Sequence, residues 1–237
     1  MPVAVRRLSR ASATGVVLVL TLGLAATGSS NATLTSTTAG TARATITPKA
    51  LVRHIALVDS DFTDGRTVTL LLKGNRVRGQ VTLENCGFNF TATETRRVAR
   101  HQTTILPAPG KSWTSNEVVA YETPHFAAKA LRQFRKSVIN CPKGVFTLSG
   151  IAGGSDLRYD VSKVHASAKL PVADNAIVKL KITVEGASKP FWSVFIFQRR
   201  GTVLDGVYRA SYKKPTAAKM ADLRALATIT GKRLAAS

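Results

Sequence analysis

Two cysteines, four histidines and a few short acidic or glycine-rich clusters are the residues of this chain whose types and spacing bear on chemistry. Cys86 and Cys141 lack CxxC spacing, and His54, His101, His125 and His165 are scattered, so the thiols are expected to form a structural disulfide rather than hold a metal. Asp59, Asp61, Asp64 and Gly65 crowd carboxylates as a calcium loop does. An EF-hand, however, needs a bidentate Glu at its twelfth position, where this chain has Leu70, and a helix end followed by a polar turn explains the cluster more simply. Gly150, Gly153 and Gly154 are not followed by Lys and Ser/Thr at phosphate-loop spacing, and read as a loop. No Gly-x-Ser-x-Gly elbow, HExxH or close Ser/His/Asp set occurs, and Asp156, Asp160 and Asp174 join His165 only if folding assembles them. No catalytic set, metal or cofactor site is read from these residues. Asn89-Phe90-Thr91 fits a glycosylation sequon, of use only in a host that glycosylates.

Those residues must be positioned by a mixture of strands and helices. Thr47 and Pro48 fit an N-cap and first helical residue, with Ala50, Leu51, Ile55 and Leu57 in a short helix ending near Val58. Thr67 to Leu72 and Val77 to Leu83 are β-rich runs around Lys73-Gly74-Asn75-Arg76, which predicts a hairpin. Asn116 to Glu122 predicts another strand, and Thr123 and Pro124 a helix start. From His125 to Asn140, Ala127, Leu131, Phe134 and Val138 recur at helical spacing, widened by Phe126 and Ala130. Lys129, Arg132 and Lys136 then share the opposite face, the candidate surface for an anionic polymer. Asn140, Cys141 and Pro142 end that helix and place the cysteine for a bridge to the loop around Cys86.

Val178, Leu180, Ile182 and Val184 alternate with polar residues, the mark of a strand wet on one side. Phe191 to Phe197 is apolar at almost every position and predicts a strand covered on both sides. Arg199 to Thr202 reads as a turn, Val203 to Ser211 as the next strand, and Thr216 to Ala235 as a last helix presenting Met220, Leu223, Ala227 and Leu234 inward. The expected fold class is α+β, a single domain with a central antiparallel sheet backed by helices and one disulfide.

The amino terminus sets the compartment. Arg6, Arg7 and Arg10 precede an apolar run of 11 residues from Val16 to Ala26, and small residues follow at Ser30 and Ala32. That run is too short to cross a hydrocarbon core of about 30 Å, so residues 1–32 read as a secretory signal peptide cleaved after Ala32, or else nearer Ala26, with no transmembrane span retained. Residues 33–47 read as a flexible Ser/Thr/Ala-rich leader and 48–237 as the folded domain. The formal charge is +21, and the signal's three arginines, with no acid among its residues, leave +18. Such an excess attracts polyanions: wall polymers, lipid surfaces, nucleic acid. Arginines near aromatics (Arg96, Arg97, Arg100; Arg132, Phe134, Arg135; Arg199, Arg200) have the composition of a phosphate-binding patch, but no aromatics run regularly along a strand, so solvated basic faces are expected rather than a nucleic-acid site.

Several blocks taken together resemble one family. Ala50 to Asp61 (ALVRHIALVDSD), Leu83 to Gln102 (LENCGFNFTATETRRVARHQ), Asn116 to Pro142 (NEVVAYETPHFAAKALRQFRKSVINCP) and the later FIFQRRGTVLDGVY with its closing helix are similar in order and spacing to the extracellular sensor domain of actinobacterial receptor serine/threonine kinases of the PknH type, and to exported proteins carrying that domain alone. The resemblance implies a central antiparallel sheet with helices on one side, a cleft for an unidentified extracellular ligand, and pairing of Cys86 with Cys141. The chain departs from the kinase members in having a single cysteine pair, no kinase domain and no spanning helix.

The reading that follows is a secreted, non-enzymatic, sensor-like ligand-binding domain of the bacterial cell envelope. An extracellular hydrolase of wall polymers and a basic wall-associated scaffold are the alternatives. Two carboxylates or a Ser/His pair within hydrogen-bond reach in a cleft would favour the hydrolase.

Overall fold

Thr47 caps helix α1 (Pro48–Ile55), its hydroxyl accepting from the Ala50 N–H at 3.2 Å, and Pro48 stands where no N–H is needed. The computed structural model describes residues 46–80, 82–86, 88–106, 112–141, 145–147, 156–163, 170–184 and 188–237, all within the unit Ala44–Ser237. The expected signal peptide, the leader up to residue 45, Gly150, Gly153, Gly154 and His165 lie outside the described residues. After α1 come a 3-10 turn at Asp59–Asp61, β1 (Thr67–Leu70), β2 (Glu84–Asn85), β3 (Phe88–Asn89) and the single turn α2 (Thr91–Glu94). The remainder is β4 (Arg97–Leu106), β5 (Ser112–Tyr121), α3 (Pro124–Ile139), β6 (Val145–Thr147), β7 (Asp156–Lys163), β8 (Asn175–Val184), β9 (Phe191–Arg200), β10 (Val203–Ser211) and α4 (Ala217–Ala236).

The fold is α+β. Eight strands form one antiparallel sheet in the order β1-β4-β5-β10-β9-β8-β7-β6, and β2 pairs with β3 apart from it. Its centre is β10 between β5 and β9, with Val207 opposite both Asn116 and Ile196. Gly201, at φ +53°, sits in the two-residue turn that joins β9 to β10, a conformation glycine adopts without steric cost. Arg199 and Arg200, expected in that turn, are the last residues of β9 instead.

The two faces of the sheet bury different sets of residues. On one, α3 places Ala127, Leu131, Phe134 and Val138 against Val119, Tyr121, Val178, Phe197 and Leu204, so its apolar stripe packs as the periodicity predicts. On the other, α1 and α4 bring Val52, Ile55, Leu223, Leu226, Ala227 and Leu234 onto Val118, Ala120, Val194, Ile196, Val203 and Val207. Strand β9 is accordingly covered on both sides, as its near-continuous apolar run predicts. Helices therefore cover both faces, which corrects the one-sided arrangement implied by the family resemblance.

The predicted hairpin of Thr67–Leu72 with Val77–Leu83 does not form. β1 pairs with β4, Leu70 opposite Thr103, and no residue from Val77 to Leu83 is in a strand among the described residues. The reason lies in long-range partners. The turn at Lys73 and Gly74 is fastened to β4 by Leu71 N–H to Gln102 O and Gln102 N–H to Gly74 O, and the chain beyond it wraps buried arginines. The bridge does form: Cys86, at φ +55° in the β2–β3 turn, is joined to Cys141 just beyond α3, with Cα atoms 5.4 Å apart.

Candidate functional site

Most of the charged residues singled out in the sequence are already engaged. Asp59 accepts from the Val68 N–H, Asp61 from the Val58 N–H and from Arg233, and Asp64 pairs with Arg66. The acidic cluster thus fastens the α1 exit to β1 and α4. No group of three metal-ligating side chains exists among the described residues. Asp160 pairs with Lys181, while Asp174 takes both Arg135 and Arg199. Burial pushes the Asp174 carboxyl up, but the hydrogen bonds from Arg199 and Arg135 outweigh it and hold it below its ordinary range.

Arg97 and Arg100, expected on a solvated basic face, are both buried instead. Arg97 donates to Glu94 O, Thr82 Oγ1 and Gln80 O, and Arg100 to Lys73 O, Gly74 O, Gln102 Oε1 and the Glu117 carboxylate. Glu117, 2% exposed, also accepts from Thr82 Oγ1 and from Tyr208 Oη, each at 2.8 Å. Glu94 accepts the N–H groups of Thr82 and Leu83, and burial pushes its carboxyl up against the pull of Arg97. Two carboxylates and two guanidiniums thus neutralise one another inside the fold, where an unpaired charge would be costly. Nothing in the sequence pairs Glu117 with Tyr208, 91 positions away.

Beyond this network the α3 face of the sheet opens into a cleft of about 500 Å³. The strand register builds its floor in rows. Thr104, Ser115, Tyr208 and Phe195 lie side by side across β4, β5, β10 and β9; the next row is Trp113, Ala210 and Ser193. Tyr212, just past β10, and Phe191 close that end: ring centroids lie 5.1 Å apart for Trp113 and Phe191 and 5.4 Å for Phe191 and Tyr212. Trp113 is 46% exposed and Tyr212 49%, an unusual exposure for two large rings that both pack against Phe191. Gly206 makes the inner wall possible, since a Cβ there would lie 2.5 Å from Tyr208 Oη, which must pass over it to reach Glu117. Burial and the neighbouring Glu117 raise the Tyr208 hydroxyl well above its ordinary range, so it stays a neutral donor.

The cleft's polar lining is uncharged. Gln102, Thr104, Ser115 and Ser193 line it, whereas Arg209 contributes backbone and sends its guanidinium to Thr114, Lys219 and Asp222 on the other face. Among the described residues no carboxylate, histidine or free thiol lines it. The sequence reading missed this site. Its members come from Leu71, from β4 and β5, and from β9 and β10, with more than 70 positions between Ser115 and Phe191, and only the alternation of aromatic and small polar residues in β5 and β9 hints at a shared face.

The predicted anion-binding face lies on α3. Arg132 and Lys136 are exposed, but Lys129 is half-buried, so the three are not equally displayed. Arg135, the other helix arginine, is committed to Asp174. No helix among the described residues is long and apolar enough to cross a membrane.

An α+β chain with an uncharged, ring-lined cleft on an antiparallel sheet is the class that fold and site define. No protein-family model matches it, and no curated protein does. Solved structures similar to it include the extracellular domain of PknH from Mycobacterium tuberculosis, 16% identical with a TM-score of 0.44 over 70% of this chain and 78% of that one. An uncharacterised Mycobacterium smegmatis protein, an Rv0999 orthologue, is 10% identical with a TM-score of 0.43 over 79% of this chain and 98% of that one.

Proposed function

We propose that this protein is an exported, non-enzymatic, sensor-like domain of the bacterial envelope that binds a small ligand in the sheet-face cleft. The observation that carries the reading is the cleft itself, with Phe191 in ring contact with Trp113 and, at the cleft's end, with Tyr212, beside uncharged polar groups. A volume of about 500 Å³ falls within the usual range for small-ligand sites, and their lining has this make-up of rings with a few polar groups. The described cleft lining lacks the carboxylate pair or Ser/His pair that a hydrolase would place there. Secretion is supported by the basic-apolar-small pattern of residues 1–32 and agrees with the paired cysteines.

The test uses the chain's two tryptophans. Trp192 faces away from the cleft, so a Trp192→Phe variant leaves Trp113 as the only indole and the reporter of occupancy. Addition of low-molecular-weight envelope extract should shift Trp113 emission, and Ala210→Leu, which fills the floor between Trp113 and Ser193, should abolish the shift. An emission unchanged by extract in the parent would remove the ligand-binding reading.

A second contact with the envelope is favoured by the exposure of Arg132 and Lys136 on α3. With Lys129 they form the proposed surface for an anionic wall polymer or lipid surface, which would retain the protein near its ligand.

A further inference from the structure

Resting on the cleft reading above, we infer that the ligand is a neutral saccharide whose ring stacks on Trp113. Charge decides against the alternatives first. The Arg209 guanidinium is turned to the far face, and Glu117 lies behind Tyr208, already matched by Arg100, so an anion entering the described cleft meets no cation and a cation meets no open carboxylate.

Polarity then decides against a wholly apolar ligand. Ser193 is only 7% exposed, lines the cleft and has no hydrogen-bond partner for its hydroxyl among the described residues. Gln102 gives its amide oxygen to Arg100, which leaves its NH2 group to donate. The Ser115 hydroxyl donates to Thr103 O at 2.6 Å and keeps lone pairs to accept. A hydrocarbon over these groups would strip their water and return nothing, at about 1–3 kcal/mol for each one left unsatisfied. A sugar ring answers both halves of the site: its C–H face covers the indole while its hydroxyls both donate and accept.

The experiment is a glycan array carrying neutral hexose, pentose and N-acetylhexosamine oligomers beside sulfated and uronic-acid glycans, probed with the whole secreted chain. Neutral oligomers should bind, quench Trp113 in the Trp192→Phe background, and lose at least tenfold in affinity with Trp113→Ala or Ser193→Val. Circular dichroism and melting temperature of both variants should match the parent, since Trp113 is half-exposed and the Ser193 hydroxyl makes no hydrogen bond among the described residues. Tyr212→Ala, outside the sheet, supplies an independent variant should either misfold. Oleate, run in parallel, separates the two readings. Quenching of Trp113 by oleate with no neutral glycan bound would overturn the saccharide and keep the cleft. Binding of anionic glycans alone, indifferent to Trp113→Ala, would overturn the saccharide and move recognition to the basic surface. Absence of any quenching would overturn both.

Discussion

Asp205 is the most exacting single residue of the fold. It is fully buried between sheet and α4, where its carboxyl accepts from Asn116 Nδ2 at 2.8 Å and Thr230 Oγ1 at 2.6 Å. Burial outweighs these bonds and pushes its pKa from 3.8 up to about 6. A pKa raised on folding means that the folded state holds the proton more tightly than the unfolded chain. The stabilisation is complete below about pH 3.8 and is lost as pH rises through about 6, by roughly 3 kcal/mol at most. The melting temperature should therefore fall between pH 4 and 7, and Asp205→Asn should flatten most of that slope while raising stability at pH 7. Some slope should persist, because Glu94 is shifted upward by its own burial. A variant with the parent's pH profile would mean that Asp205 ionises freely. The sequence gives no sign of this residue: Asp205 stands in an ordinary strand pattern, and Asn116 is 89 positions away.

At the level of elements, two features set how closely the layers approach. Gly231 lies inside α4, where glycine ordinarily costs about 1 kcal/mol relative to alanine. Here a Cβ would stand 2.4 Å from Gln198 Oε1, and Gln198 is held in place by Ala227 O and Asp205. Gly231→Ala should accordingly lower stability by about 1–3 kcal/mol, against the propensity gain, as a denaturant midpoint would show. The disulfide fixes the other layer, tying the end of α3 to the β2–β3 turn across 55 residues. Cys86→Ser should cost about 4 kcal/mol in the loop-entropy estimate, and non-reducing peptide mapping of the parent should recover the bridged pair. Elements governed by local pattern were readable, as α3 shows in its stripe and β9 in its double-sided apolar run. The Val77–Leu83 segment was not, because its β-forming residues are overruled by Arg97, which binds Gln80 O, and by Glu94, which binds the N–H groups of Thr82 and Leu83.

Across the whole molecule the governing quantity is charge: 34 basic residues against 13 acidic. The few acids are matched to arginines, with Glu94 and Glu117 buried and Asp61, Asp174 and Asp222 partly buried, each facing one. The excess is left on exposed lysines and arginines, those of α3 among them. Replacing Lys129, Arg132 and Lys136 together with Gln should weaken retention on isolated cell walls at low salt, because exposed charges attract a polyanion only within a Debye length, about 8 Å at physiological ionic strength. Arg132 and Lys136 should account for most of the loss. Lys129 is half-buried, so Lys129→Gln alone should change retention least. Thermal stability should move by less than about 0.5 kcal/mol, since the two exposed side chains join no cap or ion pair among the described residues. Retention of the triple variant equal to the parent's across salt concentrations would show that this helix face is merely solvated. The Trp113 cleft, on the same side of the sheet but uncharged, should bind its ligand equally well in parent and triple variant, because neither its rings nor its hydroxyls depend on those charges.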